Sequence, residues 1–218
     1  MQSLDDRPGL VAAGREIEDE SFRIIDAEMR GHAFAPDAWQ VVRRVIHTTG
    51  DTDYARGIRL HPLAISRGIE ALRRGAPIFT DTRMIRVGLS PWRLAWFGNG
   101  VETPASDPKS QEWAKAEGTT RSVAAFRRFA ERFEGAVVAV GNAPTALLET
   151  LRLVREESLH PALVIGVPVG FVQAAESKVA LLEMEALPSI SVEGRKGGSS
   201  VAVAILHALL ELAKNSVE

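Results

Sequence analysis

Two residues three positions apart, Arg44 and His47, have side chains suited to acid–base and anion chemistry. They lie in the segment RRVIHTTGD, where valine and isoleucine recur at helical spacing, so both are predicted to point from one flanking face of a helix. A histidine in the last turn of a helix lies near the negative end of the helix dipole, which favours the protonated imidazole. We therefore predict that His47 is a general acid near neutral pH. The alternative is a surface histidine whose charge only complements the dipole.

Ser21 interrupts an apolar helical stripe that otherwise consists of Ile17, Ile24 and Ile25. A serine on the inward face of a helix commonly donates to the carbonyl four residues earlier, and that role would be structural. The functional alternative is a hydroxyl that is presented to a pocket. Because no GxSxG pattern surrounds Ser21, a hydrolase nucleophile is not expected.

An arginine follows two threonines in the segment GTTRS. Thr119 or Thr120 is predicted to cap the helix that begins there, which places Arg121 in the first turn, where the helix dipole disfavours a cation. A bound anion would reverse that cost, and Arg121 together with the two threonines could hold a carboxylate. The alternative is a solvated arginine with an ordinary ion-pair partner.

Two polar residues, Asp81 and Asn142, follow predicted strands. Asp81 comes just after the run APIF, and Asn142 comes just after Gly141. If their strands flank the point at which the strand order of a parallel sheet reverses, both side chains face a ligand pocket. Alternatively, both are turn and capping residues. The segment EGRKGGSS resembles a phosphate cradle but matches neither common phosphate-binding glycine pattern, which favours a carboxylate or a closely packed backbone there.

The elements that position these residues alternate between short apolar runs and helical patterns. The stretches AVVAVGNAPTALLETL and ALVIGVPVGFVQAAESKVALLEM each indicate a strand, a turn with Gly and Pro, and a helix. Such joints favour anions, because unpaired N–H groups and the positive end of the helix dipole lie at the strand end. The order predicts an α/β fold with a doubly wound, five-stranded parallel sheet and helices on both faces. Strands are predicted at 76–79, 101–103, 137–140, 163–166 and 190–192, and helices at 14–29, 37–50 with Asp37 as N-cap, 62–74 and 199–214.

Length and composition bound the function. The 218 residues are predicted to form one domain after a flexible stretch at 1–13, and a hydrophobic fraction of 45% supports a buried core. The net charge of −2 excludes broad electrostatic binding to nucleic acid. The absence of cysteine excludes disulfides and thiolate metal sites and favours a cytoplasmic location. Neither a membrane segment nor a metal site is expected, since no apolar run is long enough and no metal-ligand spacing is present.

Seven segments in a fixed order together resemble the precorrin-8X methylmutase (precorrin isomerase) family of cobalamin biosynthesis. They are IEDESFRIIDAE, VVRRVIHTTGD, GAPIFTDTRM, GTTRS, AVVAVGNAPTALLETL, VIGVPVGFVQAAESK and GRKGGSSVAVA, spread over about residues 17–212. The resemblance implies a flavodoxin-like fold, a homodimer with its site near the subunit interface, and no cofactor. The implied reaction moves a methyl group from C-11 to C-12 of a tetrapyrrole, precorrin-8X or its cobalt form. The implied product is hydrogenobyrinate or its cobalt counterpart.

The resemblance also implies residue roles. The histidine of the family's VxH motif, its proton donor and acceptor, falls on His47. The family's serine in the first helix falls on Ser21, and two of its arginines fall on Arg44 and Arg121. With Thr120, Asp81 and Asn142 added from their predicted positions at a helix start and at strand ends, the expected substrate-binding residues are Ser21, Arg44, Thr120, Arg121, Asp81 and Asn142, and His47 is the expected catalytic residue.

The chain departs from the family at two places, and other functions remain open. Thr80 stands where the family often has a cysteine, and the segment LAWFGNGVETPASDP differs from the usual loop at the pocket rim. A non-catalytic corrinoid or tetrapyrrole carrier of the same fold is the main alternative function. A nucleotide-dependent oxidoreductase is disfavoured, because neither the dinucleotide nor the P-loop glycine pattern is present.

Overall fold

The structure, a computed structural model, describes residues 12–215 of the chain. The stretch predicted to be flexible, 1–13, lies outside this range except for its last two residues, which begin the first helix. The strands are β1 (Ile58–Leu60), β2 (Ile78–Thr80), β3 (Val101–Glu102), β4 (Val137–Val140), β5 (Leu163–Gly166) and β6 (Ser189–Val192). The helices are α1 (Ala12–Glu28), α2 (Pro36–Thr49), α3 (Tyr54–Gly57), α4 (Ala64–Arg73), α5 (Arg83–Gly88), α6 (Pro91–Ala95), α7 (Ser110–Glu117), α8 (Arg121–Arg128), α9 (Pro144–Glu156), α10 (Ala174–Leu182) and α11 (Ser199–Asn215), with 3-10 turns at Pro104–Ser106 and Ala130–Phe133.

All six strands belong to one sheet, in the order β1-β6-β5-β4-β2-β3. Strands β2 to β6 pair in parallel, whereas β1 pairs antiparallel with β6. From β2 the chain moves outward to β3 and then returns to β4 on the other side of β2. The strand order therefore reverses between β2 and β4, where the carboxyl ends of two neighbouring strands meet.

The predicted α/β fold is confirmed, but the prediction of five strands in a wholly parallel sheet is wrong. The sixth strand, β1, adds to the edge of the sheet with Ile58 opposite Val192 and Leu60 opposite Ile190. β1 has only three residues and directly follows a four-residue helix. A segment this short has too few residues to show a strand periodicity, so no pattern of apolar residues predicts it.

Helices cover both faces of the sheet, as predicted. One apolar cluster joins the sheet to α2, α4 and α11, and a second joins the opposite face to α8, α9 and α10. All four residues of β4 and of β5 are buried, as expected for parallel strands with both faces covered. Most residues of α11 are buried against α2, α4 and the sheet. Within residues 12–215, none of the helices has the length and apolar character that crossing a bilayer requires.

The ends of α2 fix where His47 lies. Pro36 occupies the first turn and the extended residue Ala35 is the N-cap, so the prediction of Asp37 as N-cap is wrong. Proline suits the first helical position because no N–H partner is needed there. Gly50 ends the helix in the left-handed conformation, with φ 64°. His47 is therefore held in the last turn of α2, as predicted.

Candidate active site

His47 and Ser21 form a hydrogen-bonded pair across two helices. The Nδ1 atom of His47 lies 2.8 Å from the Oγ atom of Ser21, so the pair joins the last turn of α2 to the middle of α1. Ser21 thus bonds to the imidazole rather than to the carbonyl four residues earlier in its own helix. When the hydroxyl donates to Nδ1, the proton of a neutral imidazole is on Nε2.

The pair lies in an open cleft of about 540 Å³ between α1 and the end of α2. The α1 face with the predicted apolar stripe lines this cleft, and it is only partly buried: Ile17 is 71% exposed and Ile24 is 49% exposed, while Ile25 is buried. Glutamates of the same helix also line the cleft. The cleft therefore offers apolar surface and one imidazole, but the cations for an anionic ligand must come from other segments.

Arg44 is engaged inside the protein. It forms an ion pair with Glu18 of α1, and both side chains are largely shielded from solvent. Its guanidinium carbon lies 4.8 Å from the centroid of the Phe22 ring, and the same ring lies 5.1 Å from the ring of His47. Because the charge of Arg44 is already matched by Glu18, these contacts support a role in holding α1 against α2. Its predicted contact with substrate stays a prediction.

The surroundings of His47 lower the pKa of its imidazole. Burial is the largest cause, the positive charge of Arg44 lowers the pKa further, and Glu18 opposes these effects. The imidazole is therefore mainly neutral at pH 7. Partial removal from water and the neighbouring cation thus act against the effect expected of the helix dipole, which favours the protonated imidazole.

The carboxylate of Asp81 lies at the point where the strand order reverses, and it occupies the backbone N–H groups there. Its side chain is 5% exposed and accepts hydrogen bonds from the N–H groups of Gly141 at 3.0 Å, Asn142 at 2.8 Å and Ala143 at 2.6 Å. Burial raises the pKa of Asp81, while the three donors act in the opposite direction. These N–H groups are the ones that a bound anion would use before α9, so the structure supports the capping alternative for Asp81.

Thr120 and Asn142 lie near this reversal point. The hydroxyl of Thr120 accepts from the N–H of Val123 at 3.2 Å, which confirms it as the cap of α8. It also lies 3.4 Å from the hydroxyl of Thr145 in the first turn of α9. The side chain of Asn142 is exposed just before that helix. Both remain candidates for contact with a ligand at the carboxyl end of the sheet.

Arg121 lies outside the His47 cleft. It is exposed in the first turn of α8 and lines a separate depression of about 390 Å³ together with Lys115 and Thr119. Two cations beside a helix start suit an anionic group. The structure thus brings Ser21 and His47 together and places Arg121 at a second depression.

The glycine-rich segment after β6 is a closely packed crossing of backbone. Gly197 has φ 151°, and a Cβ atom there would lie 2.2 Å from the carbonyl oxygen of Val167. The N–H of Gly198 donates to that same oxygen at 2.8 Å. A Cβ at Gly141 would lie 2.9 Å from backbone atoms of Ser199. These contacts support the packed-backbone alternative rather than a phosphate cradle.

Two residues beside Arg44 and His47 were not singled out from the sequence. Glu18 and Phe22 lie one turn apart on α1, and both contact the end of α2 through Arg44. They are four residues apart, and Glu18 is three residues before Ser21, so this helical spacing could have predicted that the three side chains lie on one side of α1. In the part of the chain that the structure describes, no group of three or more His, Asp or Glu side chains could hold a metal ion.

Comparison with known proteins gives one family. The family model described as precorrin-8X methylmutase matches residues 16–212. The chain is 47% identical over 213 residues to a cobalt-precorrin-8 methylmutase of Leptospira interrogans serogroup Icterohaemorrhagiae serovar Lai (strain 56601), covering 94% of this chain and 96% of that protein. It is 40% identical over 197 residues to a precorrin-8X methylmutase of Sinorhizobium sp, covering 90% and 93%.

Solved structures give the same result. A precorrin-8x methyl mutase from Thermus thermophilus superposes with a TM-score of 0.87 at 47% identity, covering 93% of this chain and 98% of that one. A second structure, described as a precorrin-8X methylmutase related protein, superposes with a TM-score of 0.79 at 30% identity, covering 88% and 99%.

Proposed function

The chain belongs to the precorrin-8X methylmutase family, and we propose that it moves a methyl group from C-11 to C-12 of precorrin-8X or cobalt-precorrin-8 in cobalamin biosynthesis. The chain is then an isomerase that yields hydrogenobyrinate or its cobalt counterpart and needs no cofactor of its own. The observation that carries the proposal is the Ser21–His47 pair in an apolar cleft, which supplies one oriented proton donor. Five parallel strands with a reversal between β2 and β4 support a flavodoxin-like core to which β1 is added.

His47 is the catalytic residue in this proposal. When the imidazole is neutral and the Ser21 hydroxyl donates a hydrogen bond to Nδ1, the ring proton is on Nε2, the nitrogen that would face the ring system of the substrate. In the imidazolium, Nδ1–H donates to the Ser21 hydroxyl oxygen instead. Protonation or hydrogen bonding at the macrocycle lowers the barrier as the bond from C-11 to the methyl group breaks and the bond to C-12 forms. Because the product is an isomer of the substrate, any proton that the imidazole gives is returned before release.

The substrate itself adjusts the acidity of His47. In the free protein the pKa is lowered below its usual 6.5, so little imidazolium is present at pH 7. A substrate with several carboxylates brings negative charge close to the ring, and nearby negative charge raises a histidine pKa. The complex then binds more protons than the free protein between the two pKa values, and affinity weakens as the pH rises through the pKa of the complex.

Proton uptake on binding tests this coupling. We expect uptake of a fraction of a proton per site near pH 7, measured by calorimetric titration in two buffers of different ionisation enthalpy. His47→Gln removes the imidazole and abolishes that uptake. Equal uptake by wild type and His47→Gln would contradict the role of His47.

Cations from outside the cleft hold the carboxylates of the substrate. Arg121 and Lys115 supply two of them beside the start of α8. Thr120 and Asn142 add a hydroxyl and an amide near the reversal point. Arg44 acts mainly by fixing the two helices that carry Ser21 and His47, since Glu18 already matches its charge.

A homodimer with the site near the subunit interface fits the open cleft. Ile17 and Ile24 leave apolar surface exposed beside His47, and a second copy would cover it and supply further cations. Sedimentation velocity of the full chain tests this assembly: we expect a single species of twice the chain mass. A monomer at working concentrations that still turns over substrate would contradict it.

Incubation with precorrin-8X and with cobalt-precorrin-8 in parallel tests the reaction. We expect a product of unchanged mass and altered visible spectrum with at least one of them, and the faster of the two identifies the natural substrate. The carrier alternative predicts instead that the pigment is retained with its spectrum unchanged. Retention of both substrates with unchanged spectra would contradict the proposed isomerase activity.

A further inference from the structure

One lysine of the protein is buried outside the His47 cleft. Lys178 of α10 is 1% exposed, and burial lowers the pKa of its ammonium group to about 8. Its Nζ donates to the backbone carbonyl of Lys196 at 2.7 Å. Burying a lysine is costly unless its donors are used. The hydrogen bond to Lys196 offsets part of this cost, and it ties Lys178 to the loop at residues 193–198.

The same residue of the loop is also held by its side chain. The Nζ of Lys196 lies 2.6 Å from a carboxylate oxygen of Asp51, and it lies 5.6 Å from the ring centroid of Tyr54. Lys196 is thus fixed at its backbone by α10 and at its ammonium group by the segment that follows α2.

The residues on the two sides of this loop connect it to the proposed substrate site. On one side Asp51 lies directly after Gly50, which lines the His47 cleft. On the other side the exposed Arg195 places its guanidinium 5.1 Å from the ring centroid of Phe171, a side chain that is 82% exposed. The carbonyl of Arg195 also accepts from the N–H of Gly170 at 3.2 Å. The loop at 193–198 and the segment after β5 therefore present a cation and an aromatic ring at the carboxyl end of the sheet.

We propose that Lys178 and Asp51 are positioning residues of the substrate site, which hold Lys196 at both ends and thereby fix Arg195 and Phe171 as a carboxylate-binding edge beside the His47 cleft. This inference rests on the proposed isomerase function. The Ser21–His47 pair is held independently by α1 and α2. Releasing the loop consequently affects how substrate is held more than the chemical step.

The test compares Lys178→Met, which removes the donor to the carbonyl, with Lys196→Met, which removes the contact with Asp51. Each variant is expected to raise KM about three- to tenfold, the effect of losing one hydrogen bond, with kcat within about twofold of wild type. Because both changes release one loop, the double variant raises KM by much less than the product of the single effects. Lys178→Arg keeps a donor and restores part of the lost affinity. Lys109→Met, at an exposed lysine before α7, is the matched control.

The outcomes separate the loop from the reaction. Wild-type KM in both single variants overturns the inference, and so does a lower kcat at unchanged KM, which is the result of less folded enzyme. If Lys178→Met does not fold, Lys196→Met decides alone, since the Lys196 side chain is half exposed and its loss leaves no buried gap. Absence of turnover by the wild-type protein would contradict the proposed function. If the wild-type protein turns over substrate and the variants keep its KM, only the positioning role of Lys178 and Asp51 is contradicted.

Discussion

The cleft beside α2 and the reversal point of the sheet are both places where an α/β protein can bind a ligand, and this chain builds them in opposite ways. In the cleft, Ser21 and His47 pair across two helices beside exposed isoleucine side chains. At the reversal point, Asp81 is buried and occupies three backbone N–H groups. One region is open with a titratable group, and the other is closed by an internal anion.

Under the proposed function, the position that the fold makes favourable for an anion is not the one where the reaction occurs. Strand ends and helix starts attract anions, and here the anion is part of the chain. Asp81 thereby fixes the loop between β4 and α9, and the proposed reaction site is the cleft that α1 and α2 form. We expect changes in the cleft to alter kcat and changes at Asp81 to alter stability.

The largest expected effect is on turnover, from His47→Ala. We expect kcat to fall about 10²- to 10⁴-fold, the usual contribution of general acid catalysis, while binding of the tetrapyrrole largely persists. Steady-state kinetics and spectral titration measure the two quantities. His160→Ala, at an exposed histidine in a loop, is the control and keeps wild-type turnover. Normal kcat in His47→Ala would remove the cleft from the mechanism.

Asp81→Ala tests the other region. Removing the carboxylate leaves three N–H groups without their acceptor, and an unsatisfied buried donor costs about 1–3 kcal/mol. We expect the free energy of unfolding to fall by about 3 kcal/mol in urea denaturation, against little change for the exposed Asp37→Ala. Should Asp81→Ala keep its stability and lose substrate affinity, Asp81 would be a ligand and the contrast between the regions would fail.

Arg121→Ala tests the second depression. Loss of a charge-assisted hydrogen bond weakens substrate binding by about 1.5–3 kcal/mol, or about 10- to 150-fold in Kd. Spectral titration measures the affinity. Arg155→Ala is the matched control, because Arg155 is exposed in the last turn of α9, at the opposite end of that helix from the reversal point. An unchanged Kd would remove Arg121 from the site.

The smallest expected effect comes from Ser21→Ala. The hydroxyl orients the imidazole through one hydrogen bond, which contributes about 0.5–1.5 kcal/mol, so kcat falls about two- to tenfold at unchanged KM. Ser66→Ala on the exposed face of α4 serves as control. A loss as large as that of His47→Ala would mean that the hydroxyl takes part directly in proton transfer.

Sequence patterns predicted the elements with strong periodicity and missed what depends on packing. Apolar runs followed by glycine and proline predicted the strand–turn–helix connections after β4 and after β5, and the structure contains both connections. β1 was missed because a strand of three residues is too short to show an alternating pattern. The N-cap of α2 was assigned to Asp37, whereas the helix begins at Pro36 and its N-cap is Ala35.

Within the site, spacing identified His47 and Ser21 but not their contact, since they lie 26 residues apart on different helices. The lowered pKa of His47 depends on burial and on Arg44, which a dipole argument from one helix leaves out. The role of Asp81 likewise depends on which strands are neighbours. The motif resemblance identified the family, and only the tertiary structure separates the open cleft from the closed strand end.

A crystal structure of the protein with hydrogenobyrinate bound tests the central claim most directly. The account predicts that the edge of the macrocycle at C-11 and C-12 lies in contact with Nε2 of His47, while Asp81 keeps its bonds to Gly141, Asn142 and Ala143. An edge placed against Asp81 and Asn142, with the His47 ring facing bulk solvent, would contradict it.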